Sequence, residues 1–259
     1  MINTIHSLIE FLKYQQIAKT KYYLHSPFVY QFYLQILEGV PDTEIRNITK
    51  LRNKLLHNHD KIVIEDLGSE PGRKERRIST LASKASIPSR YGEVMYRLVS
   101  HFKPNTVLEL GTCLGLGTAY LSSAAPAASV TTIEGSRALA AQSVNNFAEL
   151  GLSNISVVQG HFDDRLPEVL QSMAQVDMAF IDGNHRYEPT MNYFHQIMQK
   201  SHDHTILIFD DIYWSVEMTR AWEEIKKDPR ITLTIDIYRL GIVFMQHDKL
   251  AKEDFILRY

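Results

Sequence analysis

Between Val107 and Asp211 short apolar runs alternate with helix-like segments, and this alternation restricts the fold more than any other feature of the chain. The runs are Val107–Leu110, Ser129–Glu134, Ile155–Gln159, Val176–Asp182 and Thr205–Asp211. Helices are expected over Thr118–Ser123, Ala138–Leu150, Leu166–Met173, Thr190–Lys200 and Ser215–Lys227. Strands separated by whole helices cannot be joined by tight turns, so each crossover runs back over the sheet and the strands lie parallel. The punctuation agrees: Gly151 is placed to end its helix, Ser215 to cap the next, and Asp228-Pro229 to stop it. Beyond that point Ile231–Tyr238 and Ile242–Gln246 are separated only by Arg239, Leu240 and Gly241, which permits nothing but an antiparallel hairpin. A dinucleotide domain would continue with another right-handed parallel crossover. Five βα units closed by a hairpin therefore predict an α/β fold with a doubly wound, mostly parallel sheet of seven strands.

The preceding 103 residues read differently, with helices expected over Ile2–Lys19, Pro27–Leu37, Thr43–His57 and Ser89–Phe102 and loops between. Charge divides at the same place. Residues 1–103 carry 16 Lys and Arg against 10 Asp and Glu, whereas 104–259 carry 12 against 20. The expected organisation is a helical cap over residues 1–88 and a ligand-binding domain over 89–259. Arg73, Lys74, Arg76 and Arg77 in GSEPGRKERRIS supply much of the early excess; a solvated loop is the expectation, an anion-binding patch the alternative. The aromatic cluster Tyr22–Tyr33 is expected to pack rather than to hold a cofactor. The overall net charge of −2 argues against a nucleic-acid partner. One cysteine, Cys113, no signal-like start and no membrane-length apolar run point to a cytoplasmic chain.

In an open parallel sheet ligands bind beyond the carboxyl ends of the strands. Glu109 and Gly111, Glu134, Gln159–Asp164, Asp182, and Asp210 with Asp211 all fall at such ends. The first βα turn, VLELGTCLGLGT, concentrates Gly111, Gly115 and Gly117. Glycine turns of this kind serve nicotinamide dinucleotides, nucleotide phosphates and adenosyl sulfoniums alike. A phosphate loop is excluded by the absence of Gly-Lys-Ser/Thr. Glu109 stands inside the turn, where it would repel a pyrophosphate but suit a ligand with a cationic amino acid head and a sulfonium. Glu134 suits a ribose in either case.

The stretch VLELGTCLGLGT resembles motif I of class I S-adenosylmethionine-dependent methyltransferases. TTIEGS, VDMAFIDGNHRYEP and TILIFDDIYW are similar to later motifs of the small-molecule O-methyltransferase branch, which includes catechol O-methyltransferase and bacterial sugar O-methyltransferases. The resemblance spans about residues 90–247 and implies a Rossmann-like fold with S-adenosyl-L-methionine as cofactor. By it, Glu109, Gly111, Thr112, Cys113, Gly115 and Gly117 surround the methionine part, Glu134 and Gly135 the ribose, and Gly160, His161 and Phe162 the adenine, with Asp182 also at the cofactor. His161 departs from the acid or small residue that relatives carry there. Two packing alternatives stay open: Gly115 and Gly117 for close helix approach, and Asp163 as the next helix cap.

The resemblance also implies chemistry. Asp182, Asp210 and Asp211 match three positions that bind Mg²⁺ in metal-dependent relatives, where the ion chelates the acceptor and lowers its hydroxyl pKa. The alternative is that Asp182 hydrogen-bonds ligand or backbone and Asp210-Asp211 only caps a strand. His185 occupies the place of the catechol family's catalytic Lys and, near an ordinary pKa, would serve with Asp182 as the catalytic base; a merely solvated loop histidine is the alternative. Arg186, Tyr187 and Trp214 would orient the acceptor or pack. The reaction implied is methyl transfer to a hydroxyl of a small-molecule acceptor, by a chain free to form a homodimer. A non-catalytic adenosyl-binding protein and a nicotinamide-dependent oxidoreductase are the competing expectations.

Overall fold

Met178–Ile181 and Ile206–Phe209 are four-residue apolar runs buried from end to end, as strands covered on both faces must be. They lie in a computed structural model that describes residues 2–40, 43–66, 72–245 and 252–259. In chain order its helices are α1 (Ile2–Ile17), α2 (Pro27–Phe32), α3 (Ile45–Leu56), α4 (Ile78–Lys84), α5 (Ser89–Phe102), α6 (Leu116–Ala124), α7 (Arg137–Leu150), α8 (Phe162–Ser172), α9 (Tyr187–Met198) and α10 (Val216–Ile225). The strands are β1 (Lys61–Asp66), β2 (Gly72–Arg77), β3 (Thr106–Leu110), β4 (Ser129–Glu134), β5 (Ile155–Gln159), β6 (Met178–Ile181), β7 (Ile206–Phe209), β8 (Leu233–Asp236), β9 (Gly241–Phe244) and β10 (Glu253–Ile256). β3 to β10 form one sheet in the order β10-β8-β9-β7-β6-β3-β4-β5.

The chain forms two compact units, residues 39–171 and residues 1–38 with 172–259. In the first, β3, β4 and β5 are parallel neighbours, with Thr106 opposite Ser129 and Val130 opposite Ile155. In the second, β6 and β7 are parallel, β9 is antiparallel to both β7 and β8, and β10 runs parallel to β8. The α/β, mostly parallel sheet and the closing hairpin are as expected. Capping follows the sequence too: Ser215 Oγ accepts the Met218 N–H at 3.2 Å, and Gly151 ends α7 in the left-handed conformation, φ 71°.

Three expectations need correction. The sheet has eight strands, not seven, because β10 adds to the β8 edge. Its sequence EDFI is half polar and gives no run long enough to stand out. Residues 1–103 are not all helix and loop, since β1 and β2 form an antiparallel hairpin. The basic segment is thus a strand, held by cross-strand charge pairs, Lys61 to Glu75 and Arg73 to Glu65, each at 2.8 Å. It is solvated, as expected, every residue of β2 being exposed except the partly buried Lys74. The helix expected from Leu166 starts four residues earlier at Phe162. The expected strand end at Gln246 and the start of GSEPGRKERRIS, through residue 71, lie outside the described residues.

Among the described residues no helix is long and apolar enough to cross a membrane.

Candidate active site

In the first unit, the residues expected to hold a cofactor gather at the carboxyl ends of β3, β4 and β5. Glu109 is fully buried, and its Oε2 accepts hydrogen bonds from the hydroxyls of Thr118, on α6, and Thr132, on β4, the latter at 2.6 Å. Thr112 is buried beside them, its hydroxyl 2.6 Å from that of Thr132. Two elements therefore clamp one carboxylate oxygen and fix where the negative charge sits. Burying a carboxylate without such donors would cost several kcal/mol, on the order of the penalty for any desolvated ion.

Glu134 is nearly as buried, and it ties the glycine turn to the second strand. Its Oε2 accepts the Cys113 N–H and its Oε1 the Ser136 N–H, both at 2.8 Å. Cys113 is held in the left-handed region, φ 49°, which aims its amide at that carboxylate. Gly135 gives its carbonyl to Gln159 Nε2 at 3.0 Å, so the β4 and β5 ends are joined as well.

Gly115 packs closely against α7. Its φ is 79°, and a Cβ there would lie 2.4 Å from the Phe147 ring of α7. Gly115→Ala is expected to lower stability by about 1–3 kcal/mol through overpacking and a left-handed alanine, read as a drop in urea midpoint with unchanged slope. Gly117 lies in the first turn of α6 and is partly exposed.

At the β5 end, Gly160 has φ 146° and a Cβ on it would meet Arg165 Nε at 2.6 Å. Arg165 therefore covers this glycine, a neighbour that no local sequence signal singles out. The alternative that Asp163 caps α8 is corrected: Asp163 lies inside the first turn, and His161 Nδ1 accepts the Asp163 N–H at 3.2 Å. Phe162 opens the helix and is partly buried.

In the second unit a charged cluster forms at the carboxyl ends of β6 and β7. Asp182 follows β6 directly, and its Oδ1 lies 3.2 Å from His185 Nε2. The turn between them is tight, with Asn184 at φ 63°, His185 at φ 44° and the His185 N–H donated to the Gly183 carbonyl at 2.8 Å. Two consecutive left-handed residues are costly, and such strain gathers where a side chain must be aimed. Burial alone would push the imidazole towards neutral; the hydrogen bond and charge of Asp182, with the charges of Asp211 and Asp210, overcome it and raise His185 to about 9. His185 is thus a cation at neutral pH, not the ordinary histidine expected.

Asp210 and Asp211 follow β7. Asp210 is fully buried and is gripped by Arg239 through both oxygens, Nε to Oδ1 at 2.8 Å and Nη2 to Oδ2 at 2.6 Å. Arg239 Nη1 also lies 3.3 Å from Asp211 Oδ1. Burial pushes the Asp210 carboxyl up, the charges of Asp182 and Asp211 push it the same way, and Arg239 opposes them. Among the described residues no three His, Cys, Asp or Glu side chains are arranged to hold a metal ion. The expected metal set of Asp182, Asp210 and Asp211 is not arranged for a divalent ion here: both oxygens of Asp210 and one of Asp211 face the Arg239 guanidinium, and Asp182 faces His185.

Arg239 is the member of this charged cluster that the sequence reading did not single out. Tyr187 lies under the Arg220 guanidinium, 4.0 Å from its ring centroid, and so packs against α10. Trp214 is about half exposed.

Residues 108–212 match the family model of a methyltransferase domain. A catechol O-methyltransferase of Niastella koreensis is 25% identical over 169 residues, 62% of this chain and 76% of that protein. Two solved structures share the fold. An O-methyltransferase from Bacillus cereus in complex with SAH has a TM-score of 0.57 and 19% identity, covering 83% of this chain and 96% of that one. An SAH-bound methyltransferase from Podospora anserina has a TM-score of 0.60 and 15% identity, covering 86% and 97%.

Proposed function

We infer that this chain, a class I S-adenosylmethionine-dependent O-methyltransferase, moves a methyl group onto one hydroxyl of a small molecule with His185 as the base. The observation that carries this is the Asp182–His185 pair at 3.2 Å, at the end of a strand in a matched methyltransferase domain. The likeness to a catechol O-methyltransferase supports a hydroxylated acceptor. We take residues 89–259 as the methyltransferase domain. The contacts of α1 with the hairpin turn, Tyr238 Oη donating to the Ser7 carbonyl at 2.9 Å, support an acceptor-side role for the N-terminal segment 1–88.

The cofactor set fits its ligand chemically: two buried, hydrogen-bonded carboxylates at adjacent strand ends suit a cationic amino group and a pair of ribose hydroxyls, and they repel phosphate. When bound, S-adenosylmethionine supplies an electrophilic methyl on a sulfonium. Glu109 holds the amino acid head, Glu134 and Gly135 the ribose, and Gly160, His161 and Phe162 flank the adenine.

Asp182 accepts the proton on His185 Nε2, which fixes the ring and leaves Nδ1 to face the acceptor. Nδ1 would take the acceptor's hydroxyl proton as the acceptor oxygen attacks the methyl group that bound S-adenosylmethionine would supply, with the neutral thioether as the leaving group. The resulting imidazolium is held by Asp182. The rest of the acceleration comes from alignment in a dry site.

The test is transfer of isotopically labelled methyl to a panel of phenols, alcohols and amines, read by mass spectrometry. Label on oxygen is the expected outcome; label confined to amines contradicts the assignment.

A further inference from the structure

Asp182 pairs with His185, but Asp210 and Asp211 at the end of the neighbouring strand need a cation of their own, and the hairpin turn provides it. β9 runs antiparallel to β7 with Gly241 opposite Phe209, so residues just before Gly241 pass beside those just after Phe209. The Ile212 N–H donates to the Arg239 carbonyl at 3.3 Å, which extends that pairing into the turn. The turn is anchored on its other side: the Tyr238 N–H donates to Asp236 Oδ1 at 2.7 Å, and Tyr213 stacks on Tyr238 with centroids 5.8 Å apart. Arg239 is consequently a placed side chain, only a quarter exposed. Its fork meets the Asp210 carboxylate through two parallel hydrogen bonds, and its remaining amine reaches Asp211. A planar guanidinium matches a carboxylate in this bidentate way, whereas a hard divalent ion requires the same oxygens at about 2.0–2.6 Å.

We propose that Arg239 is the resident cation of this acidic centre, holding Asp210 and Asp211 where related enzymes use a divalent metal. Methyl transfer then proceeds without metal, and the acceptor needs one hydroxyl rather than a chelating pair. Both consequences rest on the methyltransferase assignment; the seating of Arg239 on the two acids does not. Arg239 acts as a positioning residue: it keeps the Asp210 and Asp211 carboxylates neutralised beside the Asp182–His185 pair. A consequence for substrate class follows, since monohydroxylated phenols and alcohols become as acceptable as vicinal diols.

The experiment is Mn²⁺ titration of the purified full chain, followed by electron paramagnetic resonance, with S-adenosylhomocysteine titrated calorimetrically in parallel. The wild type is expected to leave the free Mn²⁺ signal intact at millimolar metal. A folded Arg239→Gln, checked by circular dichroism, is expected to take up Mn²⁺ at least tenfold more tightly, because Asp210 and Asp211 lose their organic counter-ion. Chelation of the wild type with EDTA is expected to leave turnover within twofold. One tightly bound Mn²⁺ per wild-type chain, more than tenfold loss of turnover in EDTA, or a folded Arg239→Gln with no gain in Mn²⁺ uptake each overturn the proposal. If Arg239→Gln does not fold, the wild-type titration decides alone. Failure to bind S-adenosylhomocysteine would strike the methyltransferase assignment and leave the Mn²⁺ result standing.

Discussion

His185→Gln is expected to lower kcat by about 10²–10⁴-fold, the usual contribution of a positioned proton acceptor, while the affinity for S-adenosylhomocysteine stays within twofold. Glutamine keeps a polar side chain of similar length but cannot accept and hold a proton. The pH dependence adds a second signature. The working form of His185 must be neutral, and the Asp182 hydrogen bond with the surrounding carboxylates holds it protonated up to about 9. The sign follows directly: kcat/KM climbs with pH, about tenfold per unit, through the neutral range and levels only above about 9. Asp182→Asn removes the charge that raises His185, so the inflection moves to lower pH together with a loss of rate. An inflection near 6.5 in the wild type, or a flat profile with full activity in His185→Gln, contradicts the role given to this pair.

Glu109→Gln is the second large effect. The buried Oε2 keeps its two threonine donors if an amide oxygen replaces it, so the fold is expected to persist. What is lost is the charge. A hydrogen bond to a charged group contributes about 1.5–3 kcal/mol, so removing the carboxylate is expected to weaken S-adenosylhomocysteine binding by roughly 10–150-fold. Calorimetric Kd values for wild type and variant provide the measurement, and an unchanged Kd removes Glu109 from the cofactor site. Glu134→Gln serves as a contrast: it disturbs the amides of Cys113 and Ser136 as well as any ribose contact, so its loss of affinity comes with a loss of stability.

The parts of this molecule legible in its sequence are those fixed locally. β6 and β7 announce themselves because a parallel strand buried on both faces must be a contiguous apolar run, and the hairpin because three residues cannot span anything else. Acids at strand ends were legible for the same reason: strand ends are local, and ligands gather there. β10 and β2 were not legible, since EDFI and GRKERR become strands only through their partners, β8 in one case and the opposite charges of β1 in the other. Arg239 escaped for a related reason. It stands 28 residues beyond Asp211, and only the register of β9 on β7 brings the two together. Its position in the hairpin link was visible, but nothing local connects that link with the Asp pair. The altered histidine belongs to the same class: Asp182 is three residues from His185, yet the charges that assist it come from the end of another strand.

The assignment proposed for this chain, a donor-binding transferase, requires an acidic cradle that accepts a cationic head and refuses phosphate. Side-by-side calorimetric titration of the purified protein with S-adenosylhomocysteine and with NADH tests this directly. One equivalent of S-adenosylhomocysteine bound, with no heat from NADH beyond dilution, is the result expected; saturable NADH binding with none of the thioether contradicts it.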